Sequence, residues 1–335
     1  MRGHSTLTRA LQRRNDLVPQ MSEYDKLGVI WHPYIMYFQS PHFDSKVVST
    51  DSFGFRLTPF GHLTISPMQY GDISSCSLLV GASTAFGVGA ESDKETIAAH
   101  LSFSMGVPWL NMGGRAFSAF QEYSLTASVS TTLPRVETIV LVSGFNNLFL
   151  AQRALPFDLP LGSFFYQHEF IRAMQNQHRG RKARLSALVR RTSDLSLDDH
   201  RSVDDAIQLA VKSTHQSLTL WSALAKFLGA RLLFALQPTS MWAERVPSAQ
   251  ETELFSLLSE IDPGLTSTLT RLDQPCYQKY RIQLEQASQS LGIDFLDLND
   301  AIRASARAPT WHYVDRVHYT GAGYKMIADA IQRLL

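Results

Sequence analysis

The stretch LLVGASTAFGVGA, residues 78–90, decides how the rest of the chain is read. An apolar run passes directly into Gly81-Ala82-Ser83, and Gly87 and Gly89 follow. The pattern predicts a buried strand that ends in a tight turn, with Ser83 at its carboxyl end, where parallel α/β sheets bind their ligands. Glycines there allow close backbone approach, and a serine so placed can expose its hydroxyl for nucleophilic chemistry. Taken alone, the stretch reads equally well as a glycine turn in which Ser83 caps the next helix. It lacks the G-x-G-x-x-G spacing of dinucleotide sites and the terminal Lys-Ser/Thr of phosphate loops.

Working outward, short apolar runs alternate with helical patterns from about residue 75 onward, the rhythm of βαβ units. Strands are expected at Cys76 to Val80, Val107 to Leu110, Thr138 to Val142, Arg231 to Leu236 and Asp294 to Leu298. The fold class that follows is α/β, a flavodoxin-like doubly wound five-stranded parallel sheet. Ile207, Val211, Leu218, Trp221, Ala225 and Leu228 share one helical face, begun by Ser202 with Asp205 and ended near Gly229. Tyr324, Ile327, Ile331 and Leu334 mark a closing amphipathic helix after Gly321 and Gly323. Residues 1–70 form an N-terminal extension in which HPYIMYFQSP (32–41) and DSFGFRLTPFGHLTI (51–65) predict ordered β structure. Residues 71–335 form the remaining domain, with insertions near 148–200 and 239–275.

Three further segments bear on chemistry. VPWLNMGGRAFSAFQEY (107–123) is a strand, a glycine turn and a helix, with Asn111, Gly113, Gly114 and Ala116 at the turn. Backbone N–H groups exposed at such a turn can stabilise an oxyanion. ETIVLVSGFNNLFL (137–150) ends a strand with Gly144, Asn146 and Asn147; Asn146 would add an amide donor, and an Asn pair that merely closes the strand is the plainer alternative. HYVDRVHYTGAGYKMIADAI (312–331) sets Asp315 and His318 three residues apart before the last helix. Serine chemistry needs a base to take the hydroxyl proton and an acid to orient that base.

In their order along the chain, these segments resemble the four sequence blocks of the SGNH (GDSL-like) hydrolases, over residues 75–150 and 290–335. The resemblance implies a serine esterase working through an acyl-enzyme. Ser83 is then the nucleophile, His318 the general base and Asp315 its orienting partner. Ser83, Ala116 and Asn146 form the oxyanion hole. Three departures stand out: Ala82 where the family has Asp, Asn147 where Asp is common, and Ala116 where the family has its oxyanion glycine. Alanine keeps the N–H that this role needs, on the expectation that its φ is negative.

Bulk properties narrow the field. With 31 basic against 30 acidic residues, nothing in the charge argues for a nucleic-acid partner. Arg179, Arg181, Lys182, Arg184, Arg190 and Arg191 read as a solvated helix face, with a docking patch for an anion as the alternative. Cys76 and Cys276 are too few for a disulfide framework. No run reaches the ~18 apolar residues of a transmembrane helix, and the basic N-terminus lacks the apolar stretch of a secretory signal. The expectation is a soluble cytoplasmic protein without cofactor or metal; His100, His168, His178, His200 and His215 lack partners at ligand spacing, and His312, near the active segment, reads as structural, with a part in shaping substrate access as the alternative. Phe145, Phe149, Phe164, Phe165 and Tyr166 read as core, or as the lining of an apolar cleft. The expected substrate is a small-molecule or glycan acyl ester, with an O-acetyl group on a carbohydrate as the lead by family analogy. Transfer of the acyl group to a glycan hydroxyl, and a non-catalytic binding module on the same fold, are the competing functions.

Overall fold

A computed structural model describes residues 2–153, 162–167, 169–170, 200–304 and 310–335. Five parallel strands form the central sheet: β5 (Ser75–Gly81), β6 (Trp109–Gly113), β7 (Arg135–Ser143), β8 (Arg231–Leu236) and β9 (Asp294–Asp297). Their spatial order is β6-β5-β7-β8-β9. Strand β6 is therefore added on one side of β5 and β7 on the other, and this switch opens a crevice at the carboxyl ends of those strands. The expected second strand is displaced toward its carboxyl end. Pro108 has no N–H to give the ladder, though its carbonyl still accepts from Ser77 N–H (2.8 Å).

Alternate residues of each strand enter different cores, as the period of two requires. Leu78, Val80, Leu110, Met112, Ile139, Leu141, Phe234 and Leu236 face one side. There they meet α5 (Ala119–Val129), α6 (Phe145–Gln152), α7 (Val203–Leu228) and α10 (Gln274–Ser290). Leu79, Trp109, Val140, Val142, Leu233 and Ala235 face the other side, against α4 (Ile97–Met105), α11 (Leu298–Ala304) and α12 (Gly321–Gln332). The sheet is thus covered on both faces, which is why its strands are almost uniformly apolar.

Helix α7 has the expected limits. The Ser202 side chain accepts from Asp205 N–H, and Gly229 ends the helix in the left-handed region at φ 69°. Helix α12 starts at Gly321 rather than after Gly323, because the Thr320 hydroxyl caps it by accepting from Gly323 N–H. It ends at Gln332, so Leu334 lies past the apolar face and is exposed. The segment expected as an insertion near 239–275 holds two helices, α8 (Ala249–Ile261) and α9 (Pro263–Arg271).

The N-terminal extension contains the expected β structure, in two antiparallel hairpins: β1 (Val29–His32) with β2 (Met36–Gln39), and β3 (Thr58–Phe60) with β4 (Leu63–Ile65). It also opens with two helices that the sequence reading did not anticipate, α1 (Arg2–Leu17) and α2 (Met21–Lys26). Val18, Met21, Tyr24, Leu27 and Val48 of this extension share a small core with Phe86, Val88 and Val314. The extension therefore packs directly beneath the segments that follow Ser83 and precede Asp315.

Cys76 and Cys276 are free and buried, and burial pushes both thiols up to about 12. Among the described residues no helix is long and apolar enough to cross a membrane. The basic cluster of residues 179–191 lies outside the described residues, as do His168, His178 and most of the expected 148–200 insertion.

One buried acid on α5 gives this fold a pH signature. Glu122 is 1% exposed, with the Ser143 side chain as the one group among the described residues that favours its charged form. Burial pushes its carboxyl up to about 8. The folded chain therefore holds a proton that the unfolded chain releases near the usual carboxylate value, and stability must fall as pH rises toward 8. Glu122→Gln is expected to flatten that slope and to raise the urea midpoint most at the alkaline end. Identical slopes for the two proteins would mean that Glu122 is not protonated in the native state.

Candidate active site

Parallel register sets the site's dimensions. Gly81 pairs with Gly113 on one side and with Val142 on the other. Ser83, Ala116 and Asn146 then leave the sheet two, three and four residues beyond this aligned row, from three adjacent strands. Gly81 N-terminal to the serine is obligatory, because a β-carbon there would lie 2.2 Å from Val142 O. Gly114 N–H donates to Gly81 O (3.0 Å), which ties the second turn to the first.

Ser83 opens a four-residue helix, α3 (Ser83–Phe86), and no side chain caps it. Its role there is not that of a cap, since Ala82 occupies the cap position with φ −87° and ψ −146°. The family's Asp would not fit at Ala82, which is 1% exposed and lies within the apolar core. Ser83 N–H donates no hydrogen bond among the described residues.

His318 Nε2 lies 2.8 Å from Ser83 Oγ, and His318 Nδ1 lies 2.7 Å from Asp315 Oδ2. Asp315 Oδ1 accepts the N–H groups of Val317 and His318, each at 2.8 Å. Burial pushes the Asp315 carboxyl up, but the His318 charge, the His318 ring and those two amides outweigh it, and the carboxyl is held below its usual range. An ionised Asp315 favours the tautomer with the proton on Nδ1, which leaves Nε2 to accept from the serine.

The loop carrying this pair is a narrow hairpin: Val314 N–H donates to His318 O (3.0 Å) and Thr320 N–H to His312 O (2.8 Å). It is held to the helix that Ser83 opens by Thr84 Oγ1, which donates to Val317 O (3.3 Å). Its other anchor is a residue that sequence reading passed over. Glu251, fully buried, accepts from the N–H groups of His312 (2.8 Å) and Tyr313 (3.0 Å) and pairs with Arg245. The S-x-x-E spacing of Ser248 and Glu251 is a visible helix-start signal, and Glu251 Oε2 does accept Ser248 N–H (2.6 Å). Nothing in that spacing announces the second attachment. His312 is buried: its Nε2 meets Thr310 Oγ1 at 2.8 Å, and burial pushes the imidazole below its usual value.

The second turn departs from expectation. Phe117 N–H donates to Gly114 O (3.2 Å), so Ala116 is the third residue of a four-residue turn. Its φ is +59°, not negative. Alanine has adopted the left-handed conformation that the family's glycine takes freely, at a cost of roughly 1–2 kcal/mol. Ala116 N–H has no partner among the described residues. Next to it, Asn146 Nδ2 donates one hydrogen to Phe117 O (2.7 Å) and keeps the other. Asn147 is structural, since its Oδ1 accepts Ala119 N–H (3.0 Å) and its Nδ2 donates to Thr214 Oγ1 (2.8 Å). Asn111 likewise only braces the turns, with Nδ2 donating to Ala85 O (3.0 Å) and Oδ1 accepting from Gly113 N–H (2.9 Å).

Of the five aromatic residues singled out in the sequence, Phe145 and Phe149 are core and Phe164 and Phe165 pack against it. Tyr166 is exposed and sets its ring edge-on to Tyr37, with centroids 5.1 Å apart. Among the described residues no cluster of His, Cys, Asp and Glu is arranged to hold a metal.

No family model and no curated protein matches the chain. Solved structures that are similar to it include a member of the lipolytic protein G-D-S-L family from Veillonella parvula (12% identity, 78% of this chain and 98% of that one, TM-score 0.44). An extracellular lipase from Streptomyces rimosus is similar at 13% identity over 78% of this chain and 100% of that one, with a TM-score of 0.44. The aryl esterase of M. smegmatis is similar at 11% identity, 78% and 100%, with a TM-score of 0.41.

Removing the loop's anchor should be costly. Glu251→Ala would leave the buried Arg245 without its counter-charge and three amides, those of Ser248, His312 and Tyr313, without this acceptor, a loss of about 3–5 kcal/mol. Chemical denaturation should show that loss as a lowered midpoint, and a change under about 1 kcal/mol would show that the loop does not depend on Glu251.

Proposed function

We propose that the protein is a serine ester hydrolase that works through an acyl-enzyme. The observation that carries this reading is the continuous relay Ser83 Oγ to His318 Nε2 to Asp315, with contacts of 2.8 and 2.7 Å. In the first step His318 takes the Ser83 proton as Oγ attacks the ester carbonyl, and the imidazolium then protonates the departing alcohol. Water, activated by the same imidazole, attacks the acyl-serine and releases the acid. Asp315 stays ionised throughout, fixed by two backbone amides and stabilising the imidazolium.

The oxyanion that forms in both steps would be met by Ser83 N–H, Ala116 N–H and the free amide hydrogen of Asn146. Support for this assignment comes from the unpartnered state of the two backbone donors and from the anchoring of Asn146 to Phe117 O. An amide held by one hydrogen presents the other in a fixed direction, so little reorganisation is needed when charge develops. For the substrate, an O-acyl ester of a carbohydrate is our reading, and it rests on the resemblance of the four sequence blocks to their family.

A hydrolysis screen over aryl and sugar esters of increasing acyl length tests this reading, with Ser83→Ala and a fluorophosphonate probe as controls. Wild type should turn over a short-chain ester and be labelled at Ser83, and labelling should collapse in His318→Ala. Folded protein that neither hydrolyses any ester nor reacts with the probe would overturn the assignment. Asn146→Ala should lower kcat by roughly a hundredfold or more, in line with the loss of one oxyanion donor. Asn146→Asp should be at least as slow, because it puts negative charge where the oxyanion forms; near-wild-type kcat in either variant would remove Asn146 from the site.

A further inference from the structure

Besides contacts elsewhere, such as Arg13 with Glu253 and Gln121 Nε2 with Ile35 O, the N-terminal extension makes a set of polar contacts with the two turns of the site. Beneath the nucleophile, Arg56 is fully buried and donates through Nη1 to Gly87 O (2.7 Å) and Phe86 O (3.1 Å), with Nε on Asp93 (2.8 Å). Tyr24 Oη lies 2.8 Å from Gly87 O and 2.9 Å from Ala90 O, and Gln20 Nε2 donates to Gly89 O (3.0 Å). At the second turn, Gln39 Nε2 donates to Gly113 O (3.0 Å), and Arg115 reaches back to the carbonyls of Tyr24, Leu27 and Gly28. Between these, Tyr37 of β2 donates its hydroxyl to Ala116 O (2.5 Å).

The Tyr37 contact differs from the others in what it opposes. Ala116 sits at φ +59°, a conformation alanine leaves readily when nothing prevents it. Rotation out of it must turn the peptide that joins Ala116 to Phe117. That peptide is pinned at both ends: its N–H donates to Gly114 O (3.2 Å) and its C=O accepts from Tyr37. The longer of these two bonds alone, across a turn, is a weak restraint against a preference of this size. The Tyr37 ring is itself immobilised, 1% exposed and packed edge-on against Phe117 (5.8 Å between centroids). Burial pushes its hydroxyl far above the usual phenol range, so it remains a donor at every working pH.

We propose that Tyr37 is a positioning residue for the reaction: its hydroxyl holds Ala116 in the left-handed conformation that keeps the Ala116 N–H available to the oxyanion. This inference rests on the ester-hydrolase reading of the site. In families that place glycine at this position, the conformation needs no external support. Here a segment about eighty residues upstream supplies it. The extension thus acts on the chemistry without touching substrate.

The deciding comparison is Tyr37→Phe in two backgrounds, wild type and Ala116→Gly. Phenylalanine keeps the ring and loses only the donor. In the wild-type background kcat should fall about tenfold, the size of the alanine preference now unopposed, while KM and the pH profile stay as they were. In the Ala116→Gly background the same substitution should cost less than about twofold, because glycine holds the conformation unaided. Amide hydrogen exchange over residues 114–117 should rise in Tyr37→Phe, a readout that does not depend on activity. Unchanged kcat and unchanged exchange in Tyr37→Phe would overturn the inference. So would an equal loss in both backgrounds, which is the signature of lost packing, or a Tyr37→Phe chain that does not fold. Should wild type show no Ser83-dependent hydrolysis, the hydrolase reading falls, and the exchange measurement still decides whether Tyr37 holds the turn.

Discussion

A side chain at position 81 would put its β-carbon 2.2 Å from the carbonyl oxygen of Val142, and one at position 113 would put it 2.2 Å from Phe86 N. These two close approaches set the scale of the site. They allow strands β5, β6 and β7 to end in one row, so that a hydroxyl, a backbone amide and a side-chain amide emerge from neighbouring strands within a few residues of that row. Every other feature of the site adjusts to this row. The loop with Asp315 and His318 must reach across to it, and the glycine turn must fold back onto Gly81 O.

The row was legible in the sequence because it is written in residue types that few other arrangements demand. Apolar strands that run straight into Gly-Ala-Ser, Asn-Met-Gly-Gly and Gly-Phe-Asn-Asn announce strand ends where backbone must approach backbone. The doubly wound sheet follows from the alternation of such strands with helices whose apolar stripes are as clear as that of α7. The supports of the row were not legible, for a physical reason. Arg56, Tyr24, Tyr37, Gln39 and Glu251 act on main-chain carbonyls or amides, which every residue possesses. A donor aimed at a carbonyl leaves no mark at the receiving position, so no spacing rule pairs Tyr37 with Ala116. Of the two opening helices, α2 is six residues long and too short to show a period, whereas α1 is polar overall but carries Leu7, Ala10, Leu11 and Leu17 at helical spacing, a signal that the sequence does contain.

Two buried charges show how the supports are made affordable in physical terms. Arg56 is wholly removed from solvent, yet its guanidinium meets Asp93, the Tyr24 hydroxyl and the carbonyls of Val47, Phe86 and Gly87, so its hydrogen-bonding capacity is used. Glu251 is equally buried and receives three amides and Arg245. A buried charge satisfied in this way adds little net stability compared with an apolar pair, but it tolerates no misplacement of its partners. In both cases the partners are the segments that flank the relay, residues 86–87 beside Ser83 and residues 312–313 before Asp315. Such groups are suited to fixing geometry rather than to adding cohesion.

The two alanines that depart from the family pattern fit the same division of labour. A residue at position 82 that cannot reach water has no use for a carboxylate, and the turn it might have braced is braced from below by Arg56 and Tyr24. At position 116, glycine would bring the left-handed conformation at no cost, and alanine brings it only against a preference. Alanine leaves the unfolded chain fewer conformations than glycine does, but at φ +59° its strain outweighs that gain, so the turn needs support from outside. A turn made of alanine and a distant tyrosine therefore depends on the extension being folded in place. On this view the N-terminal segment is part of the active-site framework, and the site is complete only when residues 20–56 have packed beneath it.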